Sequence, residues 1–180
     1  KLRLKHTRLL DDGLQTLGVF DILAEDESTI LYSLCTVELP WKNNLTCKSC
    51  IPAPGPDTKW AVTSRANSKY GKHFFPQGYV QTEKGWYIPG TNHSPRTYCL
   101  IHRSPIAPGW LMGCIGPGFY FNSTQKYSNG NPKGMGSKYR DPAAQESFDA
   151  LQKMVGTLYD LGGFYMTIEA LNPVTSGTSV

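Results

Sequence analysis

Two residues in this chain have the types and the spacing for acyl-transfer chemistry. His102 ends the apolar run Tyr98-Cys-Leu-Ile-His102, and Cys114 lies across a Pro/Gly-containing loop within Gly113-Cys-Ile-Gly116. A thiol is a strong nucleophile as its thiolate, and a neighbouring imidazole is a common base for it. The small neighbours suit the same chemistry. Gly113 and Gly116 let a carbonyl approach, and the backbone amides of Gly113 and Ile115 are candidates to hold an oxyanion. No other stretch places a nucleophile and a base so close together. The competing use is structural: a buried Cys in a tight turn and a His bonded to a loop carbonyl.

Other side chains are candidates for substrate contacts. Glu38 stands at the end of a strand-like run beside Trp41, where a carboxylate can orient a His, bind an amine or cap a turn. Arg103 follows His102 and has the guanidinium fork that pairs with a carboxylate. Trp110, just before Cys114, can wall a peptide or sugar groove. Cys47-Lys-Ser-Cys50 is half of a zinc or redox motif, and no second half with ligand spacing follows it. The reading therefore assigns no metal and no cofactor.

The elements that must position these residues are mostly strands. Leu2–Leu9, Gln15–Leu23 and Thr29–Leu39 alternate with period two and are joined by polar turns, as in an antiparallel meander. Within the third, Ile30, Tyr32, Leu34, Thr36 and Glu38 share one face, and Leu31, Ser33, Cys35, Val37 and Leu39 the other. Leu45–Asp57 reads as a loop. Short strands follow at Trp60–Arg65, Lys72–Gln81, Trp86–Ile88, Thr97–His102 and Phe119–Phe121. A late amphipathic helix is predicted over about 142–161, opened by Asp141 and Pro142 and closed by Gly162-Gly163. Phe164–Ile168 reads as a final strand. The predicted fold is mainly β (α+β): an antiparallel, barrel-like sheet carrying one helix. It forms one domain over 1–171, with insertions at about 81–96 and 122–140 and a tail at 172–180.

Composition narrows the function classes. The chain has 180 residues, 39% hydrophobic and 12% aromatic, enough for a core, and its 18 glycines and 13 prolines imply many turns. A net charge of +4 suits an anionic partner. The basic run with interleaved aromatics that a nucleic-acid groove needs is missing, so no nucleic-acid partner is predicted. No segment is apolar enough for a membrane span, and no signal peptide is visible.

Taken in order, Thr16-Leu-Gly18, Cys35-Thr-Val-Glu38 with Trp41 and Asn43-Asn44, Ser49-Cys-Ile-Pro52, Ser68-Lys-Tyr-Gly71, Ile101-His102 and Gly113-Cys-Ile-Gly116 form a pattern. It resembles a small domain family of unknown function found in bacteria and bacteriophages, over roughly residues 2 to 170. The Ile-His and Gly-Cys-Ile parts are more distantly similar to the L,D-transpeptidase (YkuD-like) catalytic domain, which is mainly β and works on peptidoglycan stem peptides. The resemblance implies Cys114 as nucleophile and His102 as the upstream histidine. It implies a phage-associated cysteine acyl-transferase or hydrolase with peptidoglycan as partner, in the virion or the host cytoplasm or periplasm. Leu111-Met112 stand where the YkuD-like signature has Ser and often His, and Gly116 where it has Arg. That pattern also fits a second reading: a non-catalytic structural module of a phage particle, partnered by other phage structural proteins.

Overall fold

The computed structural model describes residues 2–43, 45, 47–53, 55–67, 71–77, 80–82, 85–87, 99–102, 111–118, 126, 128–131 and 164–169. Nine strands lie among them: β1 (Leu2–Asp11), β2 (Thr16–Leu23), β3 (Ile30–Glu38), β4 (Gly55–Asn67), β5 (Gly71–Gln77), β6 (Val80–Thr82), β7 (Gly85–Tyr87), β8 (Gly116–Gly118) and β9 (Phe164–Glu169). Seven form one sheet in the order β5-β4-β9-β1-β2-β3-β8, and β6 and β7 form a separate hairpin.

The β1-β2-β3 meander follows from alternation and from two acidic turns. Asp12 accepts the amides of Leu14 and Gln15, and Gly13 takes a φ of +80° that side chains disfavour. Asp26 accepts the amides of Ser28 and Thr29 in the next turn. The four bonds to Thr29 and Ser28 outweigh a small desolvation effect, so the Asp26 carboxyl is lowered to about 2 by those hydrogen bonds.

The sheet corrects the sequence reading in several places. It is mixed rather than antiparallel, because β9 runs parallel to β1 with Leu4 opposite Met166 and His6 opposite Ile168. Pairing between chain ends is set by shared burial, which local periodicity does not report. Among the described residues, β5 and β8 stand at the two edges, so the described sheet is open and not a barrel. β4 begins at Gly55, inside the segment read as a loop. Of the predicted strand Thr97–His102, the described part contributes one isolated bridge, Ile101 to Ile115. The predicted helix at about 142–161, the strand Phe119–Phe121 and the tail at 172–180 lie outside the described residues. No helix among the described residues is long and apolar enough to cross a membrane.

One face of the sheet holds Leu4, Ile22, Phe20, Leu34, Met166 and Ile168, all buried. The register continues this face towards the C-terminal ends of β1 and β3, where Arg8 lies opposite Gly18, Gly18 opposite Thr36, and Thr16 opposite Glu38. The face thus passes from hydrocarbon to polar groups within three residue pairs. The polar end is where the functional candidates collect.

Candidate functional site

Gly18 opens the polar end. A Cβ built there would lie 2.6 Å from the Thr7 carbonyl oxygen, 2.9 Å from Thr36 Oγ1 and 3.1 Å from His6 Nε2. With only hydrogen at Gly18, side chains of β1 cross over β2 to reach β3. His6 Nε2 lies 2.9 Å from Thr36 Oγ1. Arg8 spans the same gap, with Nε donating to Glu38 Oε2 at 2.7 Å and a terminal nitrogen donating to Oε1 at 2.8 Å. That nitrogen also donates to the Ile51 carbonyl at 2.7 Å. Both charged residues are buried, Arg8 at 7% exposure and Glu38 at 0%.

This geometry is a bidentate, charge-assisted pair. Burial by itself disfavours a charged Arg8, but the carboxylate of Glu38 outweighs it and holds the guanidinium above its ordinary value. His6 behaves oppositely. Complete burial pushes it down to about 4, with Glu38 opposing and Arg8 adding to the effect, so it is neutral at pH 7. Its ring packs on Phe20 at 4.7 Å between centroids.

A β-bulge completes this end. The β1–β2 register shifts between Arg8 and Leu10, so Asp11, three residues on, pairs with Thr16 on the face that Arg8 occupies. Asp11 Oδ2 accepts the Thr16 hydroxyl at 3.2 Å and the Trp41 amide at 2.6 Å. Ser49 Oγ accepts the Lys42 amide at 2.9 Å, and the Cys50 amide donates to the Pro40 carbonyl at 3.3 Å. These bonds tie the segment after β3 to the Ser49–Pro52 motif. Between them lies a cavity of about 500 Å³, lined by Arg8, Asp11, Thr16, Trp41, Cys50, Pro52 and Ala53.

The Cys114 segment sits at the same end of the sheet, beyond the pairing of Val37 with Gly116. Its parallel bridge to Ile101 is closed by the His102 amide donating to the Ile115 carbonyl at 3.1 Å and the Ile115 amide donating to the Leu100 carbonyl at 2.8 Å. The bridge joins the segment that ends at His102 to the segment that follows Cys114. Cys114 is 7% exposed and His102 3%, and the Leu100 amide donates to Cys114 Sγ at 3.3 Å. Gly113 has a φ of +110°, which explains a glycine before the cysteine.

Comparison with family models, with curated proteins and with solved structures returned no match.

The structure therefore links the segments of Cys114 and His102 through one bridge. The Ile115 amide is spent on Leu100 and does not point at open space. Glu38 faces Arg8 and is sealed from solvent. Arg103 and Trp110 lie outside the described residues. Cys47 is exposed and Cys50 buried, and burial, with Glu38 as the next cause, pushes the Cys50 thiol up to about 12. Among the described residues no cluster of metal-binding side chains forms.

Sequence reasoning missed His6, Arg8 and Asp11. A signal was present for the first two. Leu4, His6 and Arg8 share one face of a strand whose Leu is a core residue, so the other two also face inward. The bulge that recruits Asp11 leaves no such trace.

Proposed function

We propose that the chain is a phage-associated cysteine acyl-transfer or hydrolase-like domain acting on peptidoglycan stem peptides. The observation that supports the reading is the Ile101–Ile115 bridge, which joins the segment of His102 to that of Cys114. The Leu100 amide donates to Cys114 Sγ and fixes the sulfur beside this bridge. In this scheme His102 takes the Cys114 proton, and the sulfur attacks an amide carbonyl. The tetrahedral oxyanion is held by backbone amides at Gly113, since the Ile115 amide is engaged. Collapse forms a thioester as the C–N bond breaks, and the leaving amine takes the proton back. Water, or a second amine, then cleaves the thioester. Arg103 and Trp110 are assigned to substrate contact, and Glu38 to anchoring Arg8 beneath the site.

A second reading, a non-catalytic module of a phage particle, is favoured by the burial of Cys114 among core residues such as Leu100, Leu111 and Ile115. Both readings keep the predicted fold of a mainly-β sheet with a late helix.

Cysteine reactivity separates them. Iodoacetamide labelling across pH, read by mass spectrometry, is expected to modify Cys114 well below the ordinary thiol pKa of about 8.5 and to slow in His102→Ala. Cys35 and Cys99 serve as internal comparisons. Labelling of Cys114 no faster than Cys99 would overturn the enzyme reading. Stem-peptide cleavage or exchange, lost in Cys114→Ser, is the matching activity assay.

A further inference from the structure

We propose that the cavity between Asp11 and Trp41 is a binding site for an alkylammonium group, such as a lysine-type side chain. The inference is separate from the chemistry at Cys114, and its test reads binding alone.

Charge balance decides the sign of the ligand. Arg8 lines the cavity, but its Nε and one terminal nitrogen are committed to Glu38 and the Ile51 carbonyl. The Arg8–Glu38 pair carries no net charge. Cys50 stays a neutral thiol. With Asp11 added, Arg8, Glu38 and Asp11 together carry a net negative charge at the described cavity wall.

Geometry agrees with charge. Asp11 accepts the Gly13 amide at 2.9 Å through Oδ1, and the Thr16 hydroxyl and Trp41 amide through Oδ2. A carboxylate has about four acceptor positions, so these three contacts fix its orientation without saturating it. The Trp41 amide bond holds that residue beside the carboxylate, and Trp41, 44% exposed, lines the cavity. An aromatic ring and a carboxylate lining one cavity both favour a cation, because ring quadrupole and anion attract the same charge. Pro52 and Ala53 supply apolar wall for an aliphatic stem. The volume, about 500 Å³, is in the range of small-ligand pockets.

The test is an NMR titration of the full chain with Nα-acetyl-lysine amide, following the Trp41 indole signal, identified by its loss in Trp41→Leu. Nα-acetyl-norleucine amide lacks only the ammonium, and Nα-acetyl-glutamate amide reverses the charge. Saturable binding of the lysine compound is expected, with the norleucine compound weaker by about tenfold and the glutamate compound inert. Asp11→Asn should weaken the lysine compound by about tenfold, and Trp41→Leu by roughly threefold to tenfold, the latter read from backbone amide shifts. Asp21→Asn, on the distant end of β2, should leave it unchanged. Equal binding of the glutamate compound, or unchanged affinity in Asp11→Asn, overturns the proposal. If circular dichroism shows that Asp11→Asn does not fold, Trp41→Leu decides, and unchanged affinity there overturns it.

Discussion

Two histidines are buried among the described residues, and their surroundings are used differently. His6 sits in a polar network, against Thr36 and near the Arg8–Glu38 pair. His102 is buried on the segment bridged to Ile115, next to the apolar Leu100 and Ile101. The first region is charged and bidentate, with its side chains crossing over Gly18, whereas the second is held by backbone bonds through Ile115. Residue types that look like catalytic machinery are thus spent on architecture in the first region. The pair offered for chemistry lies in the more apolar one. An ion pair needs its partners to stay buried at all, while a Cys tolerates apolar packing without one.

The largest expected effect comes from breaking the ion pair. Glu38→Leu leaves the Arg8 guanidinium buried and uncompensated, and should lower unfolding free energy by about 3–5 kcal/mol in urea titrations. Arg8→Met combined with Glu38→Leu should recover most of that loss, because the cost lies in the unpaired charge. A double variant no better than the single one would mean that the network orders the cavity wall and does more than neutralise itself.

Acid should reveal His6 next. Its folded pKa, about 4, lies below the unfolded value near 6.5, so the unfolded chain binds the extra proton between them. Stability from this residue is full above pH 6.5 and falls as the pH drops towards 4, by up to ~3 kcal/mol. Denaturant titrations at several pH values check this, and His6→Leu should flatten that part of the profile. A slope that survives in His6→Leu would move the effect to another group.

Gly18→Ala should cost about 1–3 kcal/mol, since the new methyl meets the backbone oxygen of Thr7, which cannot swing away. Thermal melts at fixed pH would show it. Cys114→Ala should cost the least, about 1 kcal/mol for the loss of one buried sulfur. That small cost keeps activity assays on Cys114 variants interpretable. A loss as large as that of Glu38→Leu would instead mark Cys114 as a packing pin and favour the structural module.

The sequence by itself determined the β1-β2-β3 meander and the final strand. Alternation with period two and acidic turn residues are local signals, and they set these strands within a residue or two. It also singled out Thr16–Gly18, Ser49–Pro52 and Gly113–Gly116 as places of interest. Tertiary structure decided what those residues do. Parallel pairing of β9 with β1 joins the two ends of the chain, and no local pattern encodes that choice. The bulge at Leu9 turns Asp11 inward by adding one residue to the ladder, which the alternation of Leu2–Leu9 does not foretell. The partner of Glu38 is Arg8, thirty residues earlier and two strands away, reachable because a glycine lies between them. Side-chain type is written in the sequence, but charge state and availability depend on who shares the burial. That is a property of register, and register is set by the whole sheet.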